Sequence, residues 1–527
     1  MKNIRNTILL VLLSLLIGVY VGTNFQLAPR LVKRTTSAQK KLDRFLYYLS
    51  NNYVEEVDSD SLVGVVIESI IDRLDPHSTF IPKTASQELA ENMQGEFVGI
   101  GVSFFMVEDT VAVVRVLNGG PSEATGLLPG DRIMLANNDS LFQQNYSSEE
   151  IVSKLKGPPN TEVELAIYRK QNDSVFWVNM KRGAVPLKSV DAAYMIDDAT
   201  AYIKINRFSQ TTYQEFAKAL NALKWKKFNN LVLDLRDNPG GYLYAAVLVA
   251  DSFLEADTPI VITEANNGER EETLATASGG LTEEGLYILV NEQSASASEI
   301  LAGAVQDNDR GWIVGRRSFG KGLVQQQLPL GDGDAVRLTT ARYFTPTGRS
   351  IQRPYGDNRE AYYAEVAERF ERGEMEDANK IPQNDSLSYT TPKGRTVYGG
   401  GGITPDIFVP NTNSEEEEWN RFVLRSNVIN HFVFTTLDKN RAAYSFPAAS
   451  TFSNTPLENT SQWLKEFKAY CEQNRIPFTF KDEAQILNAI KAYIGLQLYG
   501  EAVFTEVRNQ NDPFLARVKA HSTQGTD

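Results

Sequence analysis

The stretch LVNEQSASASEILAGAVQD, residues 289–307, carries three serines alternating with alanine where an apolar strand passes into a helix. A serine at that junction is a preferred helix cap, and it is equally well placed to be a nucleophile. Nucleophilic serine needs a base, usually histidine, but His77, His431 and His521 are the only histidines and they lie in different parts of the chain. Lysine serves instead when burial disfavours its charged form. In RRSFGKGLVQ, Lys321 stands between two glycines and near Phe319, where a lysine can be packed without crowding. Serine with lysine is a known variant of the serine–histidine–aspartate arrangement.

Such a pair needs a scaffold that brings two distant loops together. GLYILVNEQ reads as a strand running into the serines, and ATAYIKINRF alternates as another. TTYQEFAKALNALKWKK has apolar residues at helical spacing, and NNLVLDLRDNPGGYLYAAVLVADSFL reads as buried strand, glycine turn and helix. Repeated units of this kind over residues 183–411 predict a layered α/β core. Residues 355–395 interrupt it with charge and tyrosine between two similar pieces, FTPTGRSIQ and TTPKGRTVY. That segment is read as an insertion, an exposed elaboration without catalytic duty.

On either side the patterns change. Residues 26–94 are predicted helical from LDRFLYYLSNNYV and LVGVVIESIIDRL, closed by a loop, LDPHSTFIP, in which His77 is structural or exposed. Residues 412–527 are helical again, with Ser414 and Glu417 at capping-box spacing and Ile486, Ile490, Tyr493 and Ile494 marking one helix face. No chemistry is assigned to them. In residues 1–25, Lys2 and Arg5 precede an apolar run from Ile8 to Val21, which predicts a signal peptide or an uncleaved membrane anchor. The anchor is favoured because no small-x-small cleavage site follows.

Residues 95–182 alternate as strands around a short helix, SSEEIVSKLKG, and GPSEATGLLPGDRIMLAN in their middle resembles a PDZ domain. Such domains add a peptide's free carboxyl end to a sheet edge. The resemblance implies that the backbone N–H groups of Gly99, Ile100, Gly101 and Val102 hold the peptide carboxylate.

DLRDNPGG, then SASASEILAGAVQD, then GRRSFGKGLVQQQ, in that order and downstream of the PDZ-like region, resembles the C-terminal processing peptidases, or tail-specific proteases. The resemblance spans roughly residues 35–411. It implies a multidomain α+β chain: a PDZ domain plus a crotonase-like α/β peptidase core, with helical amino- and carboxyl-terminal regions. It also implies Ser296 as nucleophile, Lys321 as general base and Gln325 as the residue that orients the lysine. Four residues of straight strand span about 13 Å, so a Lys321–Gln325 contact requires a bend. The oxyanion site is expected from backbone N–H groups of Ala297, at a helix start, and of Gly240 and Gly241 in the NPGG turn. Asp307, eleven residues along a helix from Ser296, is about 16 Å away and is assigned structural support.

Composition narrows the remaining choices. The net charge of −13 argues against nucleic acid, so the expected partners are proteins or peptides with free carboxyl ends, with an adaptor or lipoprotein as a further possibility. One cysteine, Cys471, excludes intramolecular disulfides and cysteine-rich metal sites. No metal or cofactor is expected. GRRSFGKG has P-loop spacing, but Gly322 stands where a magnesium-binding Ser or Thr is needed. The sequence thus predicts an exported serine endopeptidase on the periplasmic side of a bacterial inner membrane, selecting substrates by their tails. The competing expectation is a catalytically silent PDZ scaffold.

Overall fold

The runs NLVLD and GLYILV lack polar alternation because both their faces are covered. In the computed structural model, Asn230–Asp234 and Gly285–Val290 lie side by side and parallel at the centre of a six-stranded sheet. The structure describes residues 36–277, 279–356, 359–411 and 415–524. The expectations for residues 1–25, and for a cap at Ser414, fall outside those residues. Among the described residues no helix is long and apolar enough to cross a membrane.

The central sheet runs in the order Val190–Met195, Thr200–Ile205, Asn230–Asp234, Gly285–Val290, Trp312–Gly315, Ile407–Phe408, and every pairing after the first is parallel. Side chains alternate across it. Leu231, Leu233 and Ile288 face one core with Phe216, Ala246 and Leu301 of the helices Thr212–Lys224, Leu243–Asp251 and Ala297–Asp307. Val232, Tyr287 and Leu289 face the other way, against Phe514, Leu515 and Val518 of the last helix, Pro513–Gln524.

A second, antiparallel sheet carries the lysine side of the site. The strand Asp334–Phe344 pairs with Leu323–Gly331, with Pro259–Ala265 and with Thr79–Ile81. This last partner corrects the expectation of an irregular loop after residue 74. Pro76 and Pro82 stop helix on either side, and β-branched Thr79 and Ile81 suit a short edge strand.

The PDZ-like region is a sheet in the order Val102–Met106, Val111–Val116, Arg132–Ala136, Glu162–Arg169, Ser174–Lys181, closed by the helix Ser148–Leu155. Val111, Ile133, Ile151 and Leu165 fill its core. Val102–Met106 is an edge strand.

The carboxyl-terminal helices pack around Phe432, Trp463, Phe467 and Ile490. Ile486, Ile490, Tyr493 and Ile494 are buried on one helix, Glu483–Tyr499, as their spacing predicts. This region touches both neighbours. Phe434 packs on Ala112 and Val114 of the PDZ-like sheet, and Arg132 pairs with Asp438 at 2.6 Å. On the core side, Arg236 pairs with Asp512 at 2.7 Å.

The described residues up to Ile70 form a unit separate from the rest of the chain. The described part of that first unit begins with the helix Ser37–Asn52, capped reciprocally by Thr36 and Gln39, and none of its residues is buried. The helix Ser59–Ile71 follows.

Candidate active site

Ser296 sits at φ 55° and ψ −114°, a strained conformation for a residue with a side chain, immediately before the helix Ala297–Asp307. Its neighbours hold it there. Ser294 Oγ donates to Leu235 O at 2.8 Å and Ser298 Oγ donates to Asn238 O at 3.0 Å, so both flanking serines, each fully buried, are tied to the segment that leads into the NPGG turn.

That turn lies directly against the serine. A Cβ on Gly240 would come within 2.8 Å of Ser296 Cβ and 2.9 Å of Ala297 N, and one on Gly241 within 2.0 Å of Phe208 O. Only glycine permits this approach. The N–H groups of Ala297 and Gly241 have no acceptor among the described residues. Gly240 differs from the expectation: its N–H donates to Asn238 Oδ1 at 2.9 Å, so it supplies closeness and not an oxyanion donor.

Lys321 lies in the loop before the strand Leu323–Gly331, and its Nζ donates to Gln325 Oε1 at 2.8 Å. The required bend exists as a register shift between Val324 and Gln325. Gln325 Nε2 in turn donates to His77 O at 2.5 Å, which fixes the amide so that its oxygen faces the ammonium. His77 therefore contributes through its backbone. Burial, with Lys321 adding to it, lowers its imidazole to about 3, leaving the ring neutral. Burial also pushes Lys321 down to about 8; Arg337 adds to that shift, while Glu299 and Asp75 oppose it.

Glu299 joins the two halves, and the sequence reading overlooked it. Its Oε2 accepts the N–H of Ser296 and that of Lys321, each at 2.9 Å, so one oxygen bridges the backbones of both residues. Oε1 accepts Gly320 N–H at 2.7 Å and Ser318 Oγ–H at 2.5 Å. Four donors hold the carboxylate even though burial raises its pKa. The signal was present: Ser296-Ala297-Ser298-Glu299 has the S-x-x-E spacing of a capping box. Tyr343 adds a second tie, its hydroxyl donating to Lys321 O at 2.6 Å and lying 3.2 Å from Ser296 O.

Gly240, Gly241, Ser296, Ala297, Lys321 and Gln325 all line one cleft of about 1380 Å³. Leu89, Met93, Phe208, Ile300 and Leu323 give it apolar walls. Asp307 is not among the lining residues. It is fully buried in an ion pair with Arg349 at 2.6 Å, and Thr347 Oγ1 donates to it at 2.6 Å, which ties the far end of the helix to the next loop. Gly99, Ile100, Gly101 and Val102 also lie outside the cleft lining, at the start of the edge strand Val102–Met106. The carbonyls of Ile100 and Gly101 accept from Ser122 N and Leu117 N, both at 2.9 Å. No group of three or more metal-binding side chains occurs among the described residues.

The insertion is not the exposed elaboration expected of it. Tyr362, Arg369, Met375 and Ile381 are buried, Arg369 completely, because the segment folds over the loop that carries Lys321.

Comparison with known proteins agrees with this architecture. Residues 199–356 match peptidase family S41, residues 98–180 match the PDZ domain, and residues 419–500 match a family of unknown function. The carboxy-terminal processing protease CtpB of Bacillus subtilis is 33% identical over 353 residues, covering 64% of this chain and 72% of that protein. The carboxy-terminal-processing protease of Bartonella bacilliformis is 34% identical over 321 residues, 59% of this chain and 73% of that one. Among solved structures, a photosystem II D1 C-terminal processing protease aligns at a TM-score of 0.37 and 23% identity, over 71% of this chain and 94% of its own. Matches of this identity and coverage place the chain in peptidase family S41, as a serine-type C-terminal processing peptidase that carries a PDZ domain.

Proposed function

We propose that this peptidase is exported and cuts protein substrates selected by their carboxyl tails, with Ser296 as nucleophile and Lys321 as general base. The observation that carries the reading is the chain of contacts from Lys321 Nζ through Gln325 to His77 O, set in the same cleft as the strained Ser296. In the neutral form, Lys321 takes the Ser296 hydroxyl proton as the oxygen attacks a peptide carbonyl. The negative charge that develops is met by the N–H groups of Ala297 and Gly241, which need no reorganisation to receive it. The lysine then returns its proton to the leaving amine, and a water clears the acyl-enzyme.

Substrate choice falls to the PDZ domain. Val102–Met106 is an edge strand, which supports addition of a peptide strand, with its carboxylate on the N–H groups at Gly99–Val102. Export rests on Lys2, Arg5 and the apolar run that follows, and placement on the periplasmic side of the membrane follows from the same segment.

The test is to incubate the full chain with one unfolded protein bearing either an apolar or a charged tail. Faster cleavage of the apolar-tailed form is expected; tail binding without cleavage of either form would favour a scaffold. The base carries its own signature. Because Lys321 works as the free amine and is lowered to about 8, kcat should rise about tenfold per pH unit below that value and level off above it. A profile flat from pH 6 to 9 would remove Lys321 from that role.

A further inference from the structure

We propose that the insertion helix Arg359–Glu371 positions the Lys321–Gln325 pair, with Arg369 as its principal positioning residue; the inference rests on the reading of Lys321 as base. Arg369 is fully buried, yet the reaction has no direct use for its charge. Its Nε pairs with Glu365 one turn earlier at 2.9 Å, and its two terminal nitrogens read the backbone of the lysine loop. Nη1 donates to Ser318 O at 2.8 Å and Arg317 O at 3.3 Å, and Nη2 donates to Phe319 O at 3.1 Å. These three carbonyls lead directly into Gly320-Lys321-Gly322. A loop with two glycines has little stiffness of its own, and buried carbonyls need donors, so one side chain supplies both order and partners.

The same helix fixes the other arm. Tyr363 Oη donates to Pro76 O at 2.8 Å, and Tyr362 Oη is 2.8 Å from His77 Nε2. His77 O is the acceptor that holds the Gln325 amide. One helix therefore sets where Lys321 starts and where its partner points. Two further contacts fasten it: Arg353 lies 3.9 Å over the Tyr362 ring and pairs with Glu365 at 2.8 Å. The insertion thus covers the loop that leads into Lys321. The charged and titratable groups facing that lysine are Glu299 from the serine helix, Asp75 and His77 from the loop beside it, and Arg337 and Tyr343 from the adjoining strand. None of them belongs to the insertion, so loss of Arg369 acts on Lys321 through placement.

The experiment compares the full chain with Arg369→Ala, Arg369→Lys, Tyr362→Phe, Lys321→Met and, as a control on the same helix, Glu360→Gln. For each, kcat and KM are measured on one peptide from pH 6 to 10, together with the pH dependence of Ser296 modification by a fluorophosphonate and the melting temperature. Arg369→Ala should lower kcat about 30-fold with KM changed less than about threefold, and move the pH midpoint up by about one unit. Arg369→Lys should recover part of kcat, Tyr362→Phe should lose about threefold, and Glu360→Gln should match the parent. If Arg369→Ala does not fold, Arg369→Lys and Tyr362→Phe decide. Parent-like kcat and midpoint in the folded variants overturn the proposal. An active Lys321→Met sinks the base reading itself, whereas an inactive one beside parent-like Arg369 and Tyr362 variants sinks only the positioning role.

Discussion

Lys321→Met is expected to lower kcat by about 10³–10⁴-fold and, at the same time, to stabilise the folded protein at pH 7. The two effects share one cause. Lys321 is pushed from its ordinary value to about 8 because burial disfavours its charge. Below pH 8 both folded and unfolded chains hold the proton, and the folded one pays for burying it. Between about 8 and 10.5 the unfolded chain binds the proton and the folded chain does not, so parental stability rises with pH across that window. The penalty at pH 7, discounted for the exposure the side chain keeps, is about 2 kcal/mol. Methionine fills similar space without charge and removes it, less about 1 kcal/mol for stranding Gln325 Oε1. Melting curves at pH 7 and pH 10 check the sign: the advantage of Lys321→Met should shrink as pH rises. An advantage that grew with pH would contradict the assignment.

Glu299→Gln is expected to cost about 2–4 kcal/mol of stability and about 10²–10³-fold in kcat/KM. The carboxylate accepts four hydrogen bonds, two at each oxygen. An amide accepts at one end only, and its NH₂ would meet either two backbone donors or Gly320 N–H with the Ser318 hydroxyl. That hydroxyl can turn, but a backbone N–H cannot. At least one buried donor is left unpaired, and the bridge that sets Ser296 against Lys321 slackens. Thermal unfolding and steady-state kinetics on the same preparation separate the two losses. Full activity in a destabilised variant would show that Glu299 supports the fold without setting the geometry.

The elements legible in the sequence are those that local pattern decides. Continuous apolar runs marked the central strands, and spacing marked the face of the helix Glu483–Tyr499. The NPGG turn, the serine stretch and the lysine loop stood out because glycine and serine have few other reasons to be arranged in that order. The features that escaped notice are long-range. His77 meets Gln325 across 248 positions, and Arg369 reaches carbonyls about 50 positions away. Nothing in the composition of residues 355–395 distinguishes a tyrosine that packs over a loop from one facing water. Glu299 is the exception: the S-x-x-E spacing from Ser296 marks it locally. Gly240 was misjudged for a related reason, since a donor's direction depends on Asn238 two positions earlier.

The carboxyl-terminal helices grip the PDZ domain through Phe434 and Asp438 and the peptidase core through Asp512 and Phe514. Mechanically they are a cross-brace, and a brace limits degrees of freedom. A PDZ domain joined to the core only by its two strand ends, at Glu96–Gly99 and Gly183–Pro186, could swing about that hinge alone. Here the same swing must either break the Arg132–Asp438 ion pair or drag the helices along. The brace therefore couples the PDZ domain and the peptidase core through one set of helices, so that displacing either is resisted by contacts of both.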